Sequence, residues 1–399
     1  MDRCGPLSVK KKTLGIYIQV PFCQTKCTYC NFHTGAFSRS LYSPYVDAVC
    51  KEIENAGILY GPAGQGLLEP LAGLPVDTVY VGGGTPSLLD PAGLARMLDA
   101  VRASFVTALV EVTLEADPET ISGEKAGAWR SAGFNRISLG AQSFHDKELK
   151  AAGRMHHASD IAQADRFLRE AGFANLSYDL IIGLPHQTAD SWKESVQQLL
   201  ELAPEHISIY MLEVDEGSRL GREILAGGPR YGAGTVGSDD ELADSYDRAR
   251  EWLATAGYRH YEISNWAKAG YESRHNLKYW HREPYLGFGA GAHSFNGRER
   301  WAHAHDPAAY AAALGRGGAA IGQRELLAEE QVLQEQCFLG LRQASGLDLD
   351  EIASGPRAKL QQQVEKLLAE GFVRLDGRIL HIAPERWSIA NEVLVELLR

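Results

Sequence analysis

The chain has 399 residues, a length that accommodates one large α/β barrel and a smaller second domain. Its composition, with 45% hydrophobic and 23% charged residues, is that of a globular enzyme, and no apolar run is long enough to predict a membrane span. The net charge of −11 disfavours a surface that follows the phosphates of nucleic acids.

The start of the chain and its cysteines indicate a reducing compartment. The first residues, "MDRCGPLSVKKKTLGIYIQV", place a basic run directly before a short β-branched segment and lack a small-residue cleavage site, so we expect a cytoplasmic protein. Three of the six cysteines fall within eight residues, whereas Cys4, Cys50 and Cys337 are scattered. Such spacing is not that of a disulfide framework.

From residue 14 onwards, short β-branched segments alternate with longer amphipathic ones, which predicts βα units around a parallel sheet. The predicted strands are residues 14–20, 76–82, 109–116, 135–140, 176–183 and 206–212. The predicted helices are residues 41–57, 91–104, 119–132, 157–171, 188–202 and 239–258. Six units fall two short of a closed eight-stranded barrel, so we predict a partial (βα)6 TIM-like barrel.

The pattern changes near residue 305. Beyond it, "LLAEEQVLQEQCFLGLRQ" and "AKLQQQVEKLLAEGF" predict helices, a β-hairpin turns at Asp376 and Gly377, and "SIANEVLVELL" predicts a last helix. Helices with a small hairpin indicate an α-rich, winged-helix-like domain. We therefore predict an α/β barrel domain over residues 1–305 and a C-terminal domain over residues 306–399.

The first predicted strand leads into "VPFCQTKCTYCNFHTG", which contains Cys23, Cys27 and Cys30 but no fourth cysteine, because residue 32 is Phe. Three thiolates on a four-iron cluster leave one iron without a protein ligand, and that iron is open to an external chelator. A structural zinc site with His33 as the fourth ligand, or cysteines without a metal, are the alternatives. The loop follows a strand, where α/β barrels carry their functional residues.

Later strands also end in polar or glycine-rich sequence. The second strand ends in "GGGTPS", where glycines let the backbone approach a ligand closely. Glu115 and Asp117 end the third strand, Gln142 follows the fourth, and Asp179 lies in the fifth. Because the carboxyl ends of parallel strands meet at one edge, these groups predict a single ligand site.

The cysteine spacing resembles the radical S-adenosylmethionine (SAM) superfamily, in which SAM chelates the open iron of a [4Fe-4S] cluster held by residues matching Cys23, Cys27 and Cys30. The motifs "YIQVPFC", "GGGTPS", "EADP", "RISLGAQSF", "GRMHH" and "DLIIGLPHQT" together resemble the oxygen-independent coproporphyrinogen III oxidase family. The resemblance implies SAM and cluster contacts at Tyr17, Tyr29, Gly83, Gly84, Thr85, Glu115, Gln142, Arg154 and Asp179.

Two features separate this chain from the oxidase. The oxidase has a further cysteine where this chain has Phe32, and it has a longer segment before the first cysteine. The chain is more similar to the HemW-like branch, the haem chaperones, which carry "HNLKYW" and "GFGAGAHS", here residues 275–280 and 287–294. This resemblance implies haem as cargo, haem-accepting proteins such as respiratory ones as partners, and an electron donor for the cluster.

In "HNLKYW", His275 could bind haem iron while Tyr279 and Trp280 stack on the macrocycle. Ordinary hydrogen bonding by a loop histidine is the alternative, and other histidines compete for the role: His281, His293, His303 and His305. The glycines of "GFGAGAHS" predict tight backbone at the open side of the barrel. Decarboxylation of coproporphyrinogen III is the alternative function, and tRNA modification by a radical SAM enzyme is disfavoured by the acidic charge.

Overall fold

The computed structural model describes residues 12–399, so the predicted basic start and Cys4 lie outside the described residues. Six parallel strands form the centre of one large sheet, in the order in which they occur along the chain. They are β1 (Leu14–Val20), β2 (Val76–Gly83), β3 (Thr107–Ala116), β4 (Arg136–Gln142), β5 (Leu176–Ile182) and β6 (His206–Met211). The six predicted strands are confirmed, and each lies within about two residues of its predicted bounds.

Burial explains why these segments are strands. Every residue of β4 is buried, and β5 exposes none of its side chains fully. Parallel strands covered by helices are buried on both faces, which favours continuous runs of Ile, Leu and Val over an alternating pattern. Each strand from β1 to β6 pairs parallel with the next, so their carboxyl ends open on the same side.

Helices connect and cover the strands, and polar N-caps begin several of them. The helices are α1 (Tyr42–Glu54), α2 (Ala56–Leu59), α3 (Pro91–Ser104), α4 (Gly123–Ala132), α5 (Asp146–Ala152), α6 (Ala158–Glu170), α7 (Ala189–Glu201), α8 (Arg219–Leu225) and α9 (Asp239–Thr255). Asp90, Ser122, Thr188 and Ser238 each accept a hydrogen bond from a free backbone N–H in the first turn. Within residues 12–399, no helix is both long and apolar enough to cross a membrane.

Short strands extend the sheet at both edges. These are β7 (Arg259–Glu262), β8 (Asn265–Ala267), β9 (Tyr285–Phe288), β10 (His293–Phe295), β11 (Glu299–His303) and β12 (Ile321–Leu326), with helices α10 (Arg274–Trp280) and α11 (Pro307–Gly315) between them. Strand β9 lies parallel to β1 and begins the "GFGAGAHS" segment, while β8 pairs antiparallel with β6. The large sheet is therefore mixed at its edges and parallel at its centre.

The C-terminal part contains a second, three-stranded antiparallel sheet. Its elements are α12 (Glu329–Gly340), β13 (Leu347–Asp348), α13 (Ser354–Ala369), β14 (Val373–Asp376), β15 (Ile379–Ile382) and α14 (Ala390–Leu397). The hairpin turns at Gly377, whose φ of +59° suits glycine at a two-residue turn. Helices packed around a small hairpin match the predicted winged-helix-like organisation.

The large sheet does not end at the domain boundary predicted near residue 305. Strand β12 pairs with β11 through five residues, and the Tyr310 hydroxyl of α11 donates to the buried Glu52 carboxylate of α1. Both contacts tie residues 307–326 to the barrel, because β12 has no pairing partner in the second sheet. We therefore propose a division after Leu326 in place of the division after residue 305.

Candidate functional site

The three cysteines of the first loop lie together at the carboxyl end of β1. Cys23, Cys27 and Cys30 are free and half-buried, and all three line one cavity of about 450 Å³. The same cavity is bordered by the ends of β2, β3, β4, β5 and β6. The loop and the polar strand ends therefore form one site, as the sequence predicts.

Hydrogen bonds from distant segments hold the cysteine loop in place. The Thr28 backbone N–H donates to the carbonyl of Ala152 at 2.9 Å, and the Thr28 hydroxyl donates to that of Ala151 at 3.0 Å. The Thr28 carbonyl accepts from the backbone N–H of Leu220 at 2.7 Å. At the start of the loop, the Cys23 N–H donates to the Gly35 carbonyl at 2.9 Å. These bonds position the sulfur atoms without any disulfide.

The three thiols line one cavity, where they offer three sulfur donors to a metal centre. Within residues 12–399, no three His, Cys, Asp or Glu side chains converge closely enough to hold one metal ion. A cubane cluster takes one thiolate at each of three separate irons, so its sulfur ligands stand further apart than those of tetrahedral zinc. Burial raises the pKa of the Cys23 thiol to about 11, and binding a metal would deprotonate it.

The glycine turn after β2 lies against the cysteine loop. Gly83 has a φ of +118°, which favours glycine, and a Cβ at Gly84 would lie 2.5 Å from the Phe22 carbonyl oxygen and 2.9 Å from Cys23 Sγ. The N–H groups of Gly84 and Thr85 donate to the carbonyls of Val20 and Phe22. Because no side chain fits there, the β2 turn packs directly on the loop that carries the cysteines.

Glu115, at the end of β3, lies below this turn. Its carboxylate accepts from the Gly83 N–H and from the Tyr80 hydroxyl, both at 2.8 Å. Burial raises the pKa of Glu115 to about 7, although these two hydrogen bonds oppose the shift. The carboxylate is thus poised to exchange a proton near neutral pH.

Asp117, one of the polar strand ends predicted to form the ligand site, joins two further predicted residues, although the family resemblance did not include it among the SAM and cluster contacts. One oxygen of Asp117 accepts from the Thr85 hydroxyl at 2.9 Å, and the other accepts from the Arg154 guanidinium. Arg154 also donates to the Gly140 carbonyl at 2.9 Å and to Cys27 Sγ at 3.6 Å. The "EADP" motif carries the signal that could have identified Asp117, since it lies two residues after Glu115 on the same strand end.

Gln142 and Asp179 lie on the opposite wall of the cavity. Gln142 ends β4 with a φ of +65°, an unusual conformation for a residue with a side chain, and such strain concentrates at functional sites. The Ser138 hydroxyl lies 3.4 Å from both carboxylate oxygens of Asp179. Burial raises the pKa of Asp179, opposed by hydrogen bonds from Ser208 and Ser138. Ser138, Tyr210 and Glu213 line the same cavity and were not predicted.

The two predicted tyrosines occupy different places. Tyr29 lines the cavity with the cysteines, as expected. Tyr17 lines a neighbouring cavity, where its hydroxyl donates to Gln19 Oε1 at 2.7 Å and its ring stacks on Tyr80 at 6.0 Å. Burial raises the pKa values of both tyrosines, so each hydroxyl stays protonated.

The environment of His275 does not suit the predicted haem contact. The residue is fully buried; its Nδ1 lies 2.9 Å from the Thr78 hydroxyl and its Nε2 lies 2.8 Å from the Tyr279 hydroxyl. Burial lowers the pKa of the imidazole to about 3, and nearby Lys278 adds to this shift. Both ring nitrogens are occupied, so the ordinary hydrogen-bonding role describes His275 in this structure.

Comparisons with known proteins assign the chain to a family. A model of the radical SAM superfamily matches residues 17–199. The curated relative "Heme chaperone HemW" of Mycobacterium tuberculosis is 35% identical over 389 residues, which cover 96% of this chain and 94% of the relative. The chain belongs to the HemW branch of the radical SAM superfamily. HemW of Bacillus subtilis is 32% identical over 94% of this chain and 97% of its own length.

A solved structure supports the fold of this HemW-branch chain. Coproporphyrinogen III oxidase (HemN) from Escherichia coli superposes with a TM-score of 0.80 over 97% of this chain and 90% of that one, at 22% identity. At this identity the similarity concerns the fold alone. The predicted α/β barrel with a C-terminal domain is thereby confirmed, whereas the resemblance to the haem chaperone branch is confirmed by the curated relatives.

Proposed function

We propose that this chain is a haem chaperone that holds a [4Fe-4S] cluster and SAM, binds haem, and delivers it to haem-accepting proteins in the cytoplasm. The observation that carries the proposal is the meeting of three free cysteines with the polar strand ends around one cavity. Curated relatives that are named haem chaperones support haem as the cargo. Respiratory haemoproteins are the proposed recipients.

The cysteine loop supplies three thiolates for the cluster, through Cys23, Cys27 and Cys30. When bound, the cluster offers one open iron to the amino and carboxylate groups of SAM and an electron from its reduced form. Phe32 offers no fourth sulfur, and 67% of its surface is exposed. Residue 32 therefore cannot supply a fourth protein ligand to the cluster.

The walls of the cavity suit the charges of SAM. Carboxylates of Glu115, Asp117 and Asp179 border it, and they favour the positive sulfonium group of SAM. Glycines at positions 83 and 84 let the methionyl end approach the backbone. We assign Asp179 and Gln142 to the ribose hydroxyls, because both offer polar groups on the wall opposite the cysteine loop.

Oxidative decarboxylation of coproporphyrinogen III is the rival function. Parallel assays on anaerobically reconstituted protein separate the two. We expect haemin to bind with a shifted Soret band, and we expect no protoporphyrinogen above a cluster-free control when SAM and dithionite are present. Turnover of coproporphyrinogen without haemin binding would favour the oxidase.

A further inference from the structure

A second cavity of about 360 Å³ adjoins the cavity of the cysteine loop. The two cavities share Phe32, Gly83 and Glu115 as lining residues. We call this second cavity the vestibule, because Glu115 lies between the cavity of the cysteine loop and the space beside Tyr17 and Gln19. The residues that line the vestibule are Tyr17, Gln19, Phe32, His33, Gly83, Glu115, Tyr279, Tyr285, Gly291 and His293. A ligand in the vestibule would lie directly beside the proposed cluster and SAM site.

Aromatic rings form much of the vestibule wall. Tyr17, Tyr279 and Tyr285 line it, with Tyr279 packed edge-on against Tyr285 at a centroid distance of 4.6 Å. Exposed Phe32 stands at the border with the cysteine loop. Flat, mostly apolar rings of this kind pack against a planar macrocycle. The "HNLKYW" segment thus contributes Tyr279 to the wall, and the Nε2 atom of His275 forms a hydrogen bond with the Tyr279 hydroxyl.

Imidazoles with solvent access occur at the vestibule and not at His275. His33 and His293 line it, and His305 stacks on His33 with ring centroids 3.8 Å apart. All three residues are exposed. Burial first, and then the neighbouring His305, lowers the pKa values of His33 and His293, which favours the neutral form of both rings. A neutral imidazole is the form that binds haem iron.

Of the two histidines that line the vestibule, His293 and His33, His293 lies in the more regular backbone. It begins β10, where it pairs with Ala302 of β11, and its carbonyl oxygen packs so closely on β9 that a Cβ at Gly287 would lie 2.2 Å from it. His33 lies in the cysteine loop, and one face of its ring is covered by His305. A ligand that must hold an iron atom at a fixed place is better carried by a paired strand.

We infer that haem binds in the vestibule, with His293 as an axial ligand of its iron and the tyrosines as the surface beneath the macrocycle. This inference rests on the proposed function, because it names where the cargo of that function sits. The stacked pair of His33 and His305 borders the site and does not coordinate the iron.

Haemin titration of cluster-loaded variants tests this assignment. In His293→Ala we expect loss of the Soret shift and haemin binding weaker by at least about tenfold, since even groups that only support a metal ligand contribute that much. Added imidazole should restore the shift, because it fills the space left by the missing ring. The matched control is His157→Ala, which replaces a histidine with a 70% exposed side chain outside the vestibule and should behave as wild type.

Iron and sulfide content, measured in each variant, shows that the barrel has folded. A wild-type spectrum in His293→Ala, or loss of iron coordination in His33→Ala alone, would overturn the assignment while leaving the chaperone proposal standing. Wild-type protein that holds its cluster and binds no haemin would overturn the proposed function and the assignment together.

Discussion

Cys23, Cys27 and Cys30 are the residues on which cluster binding depends. Each is free and half-buried in the same cavity. Replacing any one of them by Ala should abolish the iron-sulfide absorption of reconstituted protein, because two thiolates do not retain a cubane cluster. The matched control is Cys50→Ala, which changes a buried cysteine of α1. Stoichiometric zinc in anaerobically purified wild-type protein, with no iron taken up, would refute the cluster.

Asp179 tests the SAM site from the wall opposite the cysteines. Loss of a hydrogen bond to a charged group costs about 1.5 to 3 kcal/mol, so Asp179→Ala should weaken SAM binding about ten- to a hundredfold. Calorimetry on the reconstituted protein measures the affinity directly. Asp99→Ala, a change at a carboxylate with 71% of its side chain exposed, should leave the affinity unchanged. Unchanged affinity in both Glu115→Ala and Asp179→Ala would show that SAM binds elsewhere.

Glu115 gives the protein a specific dependence of stability on pH. Burial raises its pKa from 4.5 to about 7 in the folded state. A raised carboxyl pKa means that the folded state binds the proton more tightly than the unfolded state does. The contribution of this proton to the free energy of unfolding is therefore complete below pH 4.5 and is lost as the pH rises to about 7.

The free energy of unfolding should therefore fall between these pH values, by at most about 1.4 kcal/mol per pH unit from this group. Denaturant titrations of wild type and Glu115→Gln across the range measure the effect. The difference between the two proteins should change with pH; a constant difference would contradict the assigned pKa shift.

Residue chemistry explains which site residues the sequence could reveal. Three cysteines at this spacing indicate a metal site, because few other functions need three cysteines so close together in the sequence. The surroundings of His275 could not be read in this way, because Thr78, which occupies its Nδ1, lies 197 positions away in the chain. Asp117 was predicted as a polar strand end, but its pairing with Arg154, which follows it by 37 residues, could not be read from the sequence.

Among the elements, the turn after β2 is the most sensitive to added atoms. Gly84→Ala would place a Cβ 2.5 Å from the Phe22 carbonyl and 2.9 Å from Cys23 Sγ, which forces the cysteine loop away. We expect lower cluster occupancy after reconstitution, measured as iron and sulfide per chain. Gly127→Ala in α4 is the matched control, because no atom lies within 4 Å of its Cβ and helix propensity favours Ala by roughly 0.5 to 1 kcal/mol. Equal occupancy in both variants would contradict the tight packing of the turn.

The length of an element decided whether it could be predicted. The six central strands contain six to ten residues and form buried apolar runs, so their pattern is clear. Strands β7 to β12 contain three to six residues, too few for a period to emerge, and they pair antiparallel at the edges apart from β9. Strand β12 was not predicted, and its pairing with β11 is the observation behind the proposed division after Leu326.

At the scale of the whole molecule, the C-terminal part is joined to the barrel through the segment around β7. The Ile263 N–H donates to the Arg342 carbonyl at 2.8 Å, and the Ala344 N–H donates to the Tyr261 carbonyl at 3.0 Å. The cysteine cavity lies at the carboxyl ends of the central strands. The family similarity, which covers nearly the full chain, could be predicted from the sequence motifs. The vestibule could not, because it forms only where the fold brings β9, β10 and α10 together.

Transfer of haem tests the chaperone function most directly. Reconstituted protein loaded with one equivalent of haemin is mixed with the apo form of a respiratory haemoprotein, and the Soret spectra of donor and acceptor are followed over time. We predict that the donor spectrum is replaced by that of the holo acceptor, and that His293→Ala protein, which holds haemin without the axial ligand, does not reproduce the wild-type time course. A wild-type protein that takes up no haemin, or that retains it in the presence of every apo acceptor tried, would contradict the chaperone function.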